Sequence, residues 1–137
     1  MNRSCRIAAL AAWAWAWAGG AAGQERPPLG EVPSITEGLI DTAIAYEIGR
    51  RCDTLDGRRL QGIAFLLSLR AEARRLGYSA EEIDAFVSEG PEKERLEGIA
   101  RERLRALGAV EGEWETYCTV GRAQVAEGTR IGGLLTD

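Results

Sequence analysis

Apolar residues fall into one unbroken run near the start of the chain and then into several sets at helical spacing. From Ile7 to Ala18 every side chain is Ala, Leu, Ile or Trp. After residue 33 the pattern changes. Ile35, Leu39, Ile40, Ala43, Ile44, Tyr46 and Ile48 recur at helical spacing over a wide arc, which predicts a helix packed on both sides. Ile40, Ile44 and Ile48 step by four, and the next step is Cys52, so the cysteine extends the inward face near the helix end. Ser34-Ile35-Thr36-Glu37 has the spacing of a capping box at the start of this helix.

A second helix is expected from about Asp53 to Leu76. Leu60, Ile63, Ala64, Leu67 and Ala71 form one stripe, and Phe65, Leu66, Leu69, Ala73 and Leu76 widen it. Such breadth predicts the central, most buried helix of the fold. Gly57 and Gly62 weaken its beginning, and Gly77 suits a left-handed cap at its end. Ser79-Ala80-Glu81-Glu82 is a second capping box, opening a short helix with Ile83, Phe86 and Val87 on its apolar side. Gly90-Pro91 stops it and starts the next, since proline fits a first turn. Leu96, Ile99, Ala100, Leu104 and Leu107 give the cleanest amphipathic pattern in the chain, ended by Gly108. Trp114, Tyr117, Cys118, Val120 and Val125 mark a last helix to about Glu127, closed by Gly128, before the tail Ile131–Leu135. No segment alternates as a strand would. The fold class is therefore all-α: a small bundle of about five helices over residues 34–137. Residues 24–33, with Pro27, Pro28, Gly30 and Pro33, read as an extended proline-rich arm.

The first run belongs to a different problem. Arg3 and Arg6 precede it, Gly19-Gly20-Ala21-Ala22-Gly23 follows it, and Gln24-Glu25-Arg26 is polar. A positive start, a short apolar stretch and a small-residue exit describe a secretory signal peptide over residues 1–23, cleaved near Gly23. A retained anchor is the competing reading, but a span of the bilayer takes about 20 apolar residues. Cleavage would remove Arg3 and Arg6 and no acid, moving the formal charge of the chain from −4 to −6. An acidic domain has no electrostatic reason to hold nucleic acid. Cleavage would also remove Cys5, leaving Cys52 and Cys118 as the only cysteines of an exported chain, which implies one disulfide. Two buried free thiols are the alternative. The expected location is periplasmic or secreted.

Candidate chemistry is sparse. There is no histidine, and Lys93 is the only lysine, set among charges at Glu92, Glu94 and Arg95. No phosphate loop, nucleophile elbow or CxxC pair occurs. Catalytic, cofactor-binding and metal-binding residues are accordingly none, and a non-enzyme is expected. Glu111, Glu113 and Glu115 are the densest acids; they sit where acids complement the dipole of the last helix. A hydrolase using two carboxylates would need them across a concave pocket. The arginines at 50–51, 58–59, 74–75, 101, 103 and 105 read either as a solvated, salt-bridged face, as in the Glu97–Arg101 spacing, or as a basic patch for an acidic partner or anionic headgroups. Trp114 and Tyr117 read as packing on the disulfide or as a surface anchor.

Several segments together resemble a known family. They are the Pro27–Pro33 arm, Cys52-Asp53, Gly77-Tyr78-Ser79 with Glu82-Ile83, and Tyr117-Cys118 with Gly121-Arg122. This combination is similar to a family of small exported alphaproteobacterial proteins of unknown function, often encoded among the genes of respiratory complex I. The resemblance implies an accessory or assembly protein on the periplasmic side, with complex I subunits as partners and no membrane span once processed. A periplasmic stress or acid chaperone with a single disulfide is the alternative.

Overall fold

The computed structural model describes residues 25–88 and 90–137. The expected signal peptide and Cys5 lie outside the described residues. Among the described residues there are six α-helices: α1 (Pro33–Arg51), α2 (Arg59–Arg75), α3 (Ala80–Val87), α4 (Pro91–Ala106), α5 (Trp114–Glu127) and the single-turn α6 (Arg130–Gly133). Five of these correspond to the five periodic segments of the sequence.

The centre of the bundle is α1, which packs against α2, α4, α5 and α6. Its wide apolar arc is the cause. Ile40, Ile44 and Ile48 are among the most completely buried side chains, with Ile48 at 0% exposure. Cys52 caps the helix on the same line and bonds to Cys118 of α5, with the two Cα atoms 5.0 Å apart. The pairing expected from the cysteine count is thus the pairing found. It closes a loop of 66 positions, a constraint worth about 4 kcal/mol on the chain-entropy view. Close to the disulfide, α5 crosses α1 at Gly121, where a Cβ would come within 2.7 Å of Ile48 Cγ2. Only a residue without a side chain allows that approach.

Four local expectations differ from the structure. The capping box at Ser34 does not form: α1 begins one residue earlier at Pro33, whose fixed φ suits a first turn, and Val32 is the cap residue. Glu37 is drawn instead to Arg103 of α4, which donates two hydrogen bonds of 2.5 and 2.8 Å to its carboxylate. The second helix starts at Arg59, six residues later than expected. Residues Asp56–Gly57 form a strand (β1) that pairs antiparallel with a strand at Leu135–Thr136 (β2). At two residues each, these strands are too short to show alternation in sequence. The proline-rich segment is not simply extended: Leu29–Glu31 form a 3₁₀ turn and Leu29 is buried. The Tyr78 hydroxyl donates to the Pro27 carbonyl at 2.5 Å, and Arg95 donates to the Gly30 carbonyl at 3.0 Å.

Other signals act as read. At Ser79 the hydroxyl accepts from Glu82 N (3.0 Å) and Ser79 N donates to Glu82 Oε2 (2.6 Å). Pro91 opens α4, and Gly77, Gly108 and Gly128 take positive φ after their helices. The tail is ordered by Thr129, whose hydroxyl accepts from Gly132 N at 3.1 Å to cap α6.

Candidate interaction surface

The largest departure from expectation is α2. Read as the most buried helix, it is the most open of the long ones. Along α2 only Leu69 and Ala73 are buried, and they belong to the second apolar set of the sequence. The first set points out: Leu60 is 79% exposed, Ile63 55% and Leu67 61%, with Ala64 and Ala71 exposed beside them. Both stripes are apolar and both have helical spacing, so the sequence pattern does not distinguish them. What decides is how many neighbours α2 has. It lies on α1 at Gly38, where a Cβ would meet Leu69 at 2.9 Å, and touches α3 near its end, and nothing covers its other side among the described residues.

The open face continues into a groove. One cavity of about 420 Å³ lies between α1, α2 and α3, with Leu39, Ile63, Leu66, Leu67, Phe86 and Val87 among its walls. A second of about 290 Å³ lies between α1, α3 and α4, lined by Leu39, Tyr46, Leu66, Phe86, Val87 and Leu96. Leu66, Phe86 and Val87 border both, so Leu66 stands as a ridge between two apolar hollows. Tyr46, at 65% exposure, and Val87, at 50%, extend the surface at its edges. Contiguous exposed apolar surface of this kind marks an interaction site far more often than a scattering of single residues does.

Charges around this face are arranged unlike those elsewhere. Among the described residues, Arg26, Arg50, Arg51, Arg70, Lys93, Arg95, Arg101, Arg103, Arg122 and Arg130 each lie within 4.0 Å of a carboxylate. The basic side chains without such a partner are Arg58, Arg59, Arg74, Arg75 and Arg105. Four of these belong to α2 or its immediate flank. Arg74 donates only to the Tyr78 carbonyl, at 3.1 Å. The salt-bridged reading of the arginines therefore holds for most of the described residues, including Glu97–Arg101 and Arg70 of α2, and fails at Arg58, Arg59, Arg74, Arg75 and Arg105.

Two other regions bear on chemistry. A cavity of about 950 Å³ lies under the proline-rich arm and holds Glu82 and Glu92 together with Arg26, Tyr78 and Arg95. Glu82 is committed to the Ser79 cap and to Arg26, and its hydrogen bond from the Ser79 amide holds its carboxyl below the usual range. A general acid of a glycosidase requires the opposite shift. Glu92 pairs with Arg95 at 2.9 Å. Near the disulfide, Thr54 Oγ1 lies 3.3 Å from Cys52 Sγ and accepts from Arg122 at 2.9 Å, while Arg122 also pairs with Glu115. Tyr117 packs against the core around the disulfide. Trp114 stays 41% exposed, with the Arg51 guanidinium 4.5 Å above its ring. Glu111, Glu113 and Glu115 are exposed, with Glu115 paired to Arg122 and Glu111 and Glu113 in no ion pair among the described residues.

Among the described residues no group of three or more ligand side chains has the geometry to hold a metal ion. No helix there is long and apolar enough to cross a membrane. The class defined by these features is a disulfide-stapled all-α bundle with one helix laid open along an apolar stripe. Within that class, residues 27–136 match the family of unknown function DUF5333, and the chain belongs to that family. No curated protein and no solved structure matches it.

Proposed function

We propose that this protein is an exported, non-enzymatic accessory protein of the periplasm that docks on a protein partner through the outer face of α2 and the adjoining groove. The observation that carries this reading is the exposure of Leu60, Ile63 and Leu67 on a helix that is anchored on its other side by the buried Leu69 and Ala73. A stable bundle has no use of its own for a second apolar stripe, and an assembled complex does. Respiratory complex I is the partner we favour, on the sequence resemblance described above, which implies an accessory protein of that complex. Export rests on the signal-peptide pattern of residues 1–23, and a disulfide suits an oxidising compartment.

A single-disulfide acid chaperone is the competing function. Such a protein hides its apolar surface until carboxylates protonate, whereas here Leu60, Ile63 and Leu67 already face outward. The geometry favours constitutive docking over a triggered exposure.

The test is affinity purification of the tagged protein from gently solubilised membranes, beside a Leu60→Ser/Leu67→Ser variant. Recovery of complex I subunits with the wild type and their loss with the variant supports the proposal. Equal recovery with both removes the α2 face from the interface. Recovery of the wild-type protein alone severs the link to complex I.

A further inference from the structure

The two stripes of α2 differ in what surrounds them, and the difference defines the occupant. The outer stripe runs from Leu60 to Ala71, about 16 Å along the helix, or some three turns. Beside it lie two hollows separated by the Leu66 ridge, a relief that receives side chains projecting from one face of a helix better than a flat surface. Around it, between Arg58 and Leu76, stand five arginines and one acid, Glu72, in a chain whose overall charge is negative. Arg58 and Arg59 sit at one end of the stripe and Arg74 and Arg75 at the other, none with a carboxylate within 4.0 Å among the described residues. Arg70 is paired with Asp84.

From this we infer that the α2 groove binds an amphipathic helix with acidic flanks, its apolar side chains entering the two hollows and its carboxylates meeting Arg58, Arg59, Arg74 and Arg75. The inference rests on the docking role proposed above and supplies the chemistry of the partner. A second copy of the chain fits less well. Antiparallel pairing of two α2 helices sets Arg58 and Arg59 against Arg74 and Arg75 of the other copy, and parallel pairing sets like on like, so both registers bring uncompensated cations together. An acidic helix turns those same positions into attractions.

The experiment uses the disulfide-intact chain from Gln24 to Asp137 and two labelled synthetic helices with the same Leu positions, one carrying Glu and the other Lys on its flanks. Binding is read by fluorescence anisotropy at low and high salt. The acidic helix is expected to bind about tenfold tighter at low salt, as several rim ion pairs of modest strength together provide. The gap should narrow as salt screens the rim. Arg58→Glu/Arg59→Glu/Arg75→Glu should reverse the preference. Leu60→Ser/Leu67→Ser should weaken both helices. Equal binding of the two helices overturns the acidic-partner inference and leaves docking intact. Binding of neither overturns it as well; the docking role then stands or falls separately on whether Leu60→Ser/Leu67→Ser still recovers partner subunits from membranes. Two further results also overturn it. One is tight sedimentation with phosphatidylglycerol vesicles without helix binding, which assigns the face to lipid. The other is a wild-type dimer that Leu67→Ser dissolves, which assigns it to a second copy.

Discussion

Two regions of this molecule are built from the same residue types and end in opposite environments. Around the disulfide, Ile44 and Ile48 of α1, Leu104 of α4 and Val120 of α5 interlock beneath Cys52 and Cys118, and little solvent reaches them. Along α2, Leu60, Ile63 and Leu67 repeat the same chemistry at the same helical spacing and face outward. The first region holds the fold together. The second leaves its apolar side chains uncovered among the described residues. The contrast shows that an apolar stripe reports a need for burial, and that the covering surface can belong to another molecule.

Substitutions can break this comparison directly. Ile48→Ala should lose about 2–5 kcal/mol, since it empties a fully enclosed position, whereas Leu67→Ser should change stability by no more than about 0.5 kcal/mol, as an exposed position does. Urea midpoints of the two variants measure this; a large loss from Leu67→Ser would mean that α2 is covered within the monomer. Reduction of the disulfide, or Cys52→Ser/Cys118→Ser, should cost about 2–4 kcal/mol. Intact mass after alkylation, with and without reductant, verifies the bond itself: native protein that takes up alkylator at both cysteines has no bridge. Gly121→Ala should cost about 1–3 kcal/mol because the added carbon meets Ile48 and Leu55. A matched Gly62→Ala in α2, where a Cβ meets nothing within 4 Å, should be neutral or stabilising.

The smallest expected effects concern protons, and here too the sign separates neighbouring groups. Hydrogen bonds from Arg103 hold the Glu37 carboxyl below the usual range. Its contribution is present above the ordinary carboxylate pKa and is lost as pH falls through the lowered folded value. Burial pushes Asp41 up, against the pull of Arg130 at 3.0 Å. The folded chain therefore takes up that proton at a higher pH than the unfolded one, and stability is gained as pH falls through the raised folded value. Thermal midpoints measured below about pH 5 should fall less steeply in Glu37→Gln and more steeply in Asp41→Asn. Parallel slopes in all three proteins would show that neither group is coupled to folding.

Much of the fold was legible because its signals are local. The Ser79 box, the Gly90-Pro91 break, the glycine stops at 77, 108 and 128, and the line from Ile40 through Cys52 each depend on residues within a few positions. The Ser34 box misled because Pro33 competed for the helix start and Arg103, sixty-six positions away, claimed Glu37. The β1–β2 pair was invisible because two-residue strands have no period. The proline-rich segment was read as extended because its anchors, Tyr78 and Arg95, are distant in sequence. The open face of α2 was the clearest miss: its residues were identified as a stripe, and their direction was inverted.

By itself the sequence determined that the chain forms about five helices and where most of them stop, because caps and breakers act over short distances; the Cys52–Cys118 pairing followed from it only with the expected loss of Cys5. The tertiary structure alone decided that α1 and not α2 is central, and that four arginines with no ion pair among the described residues border an open apolar groove. Periodicity fixes which residues share a side of a helix. Only packing against the other helices fixes which of two apolar sides is left facing solvent.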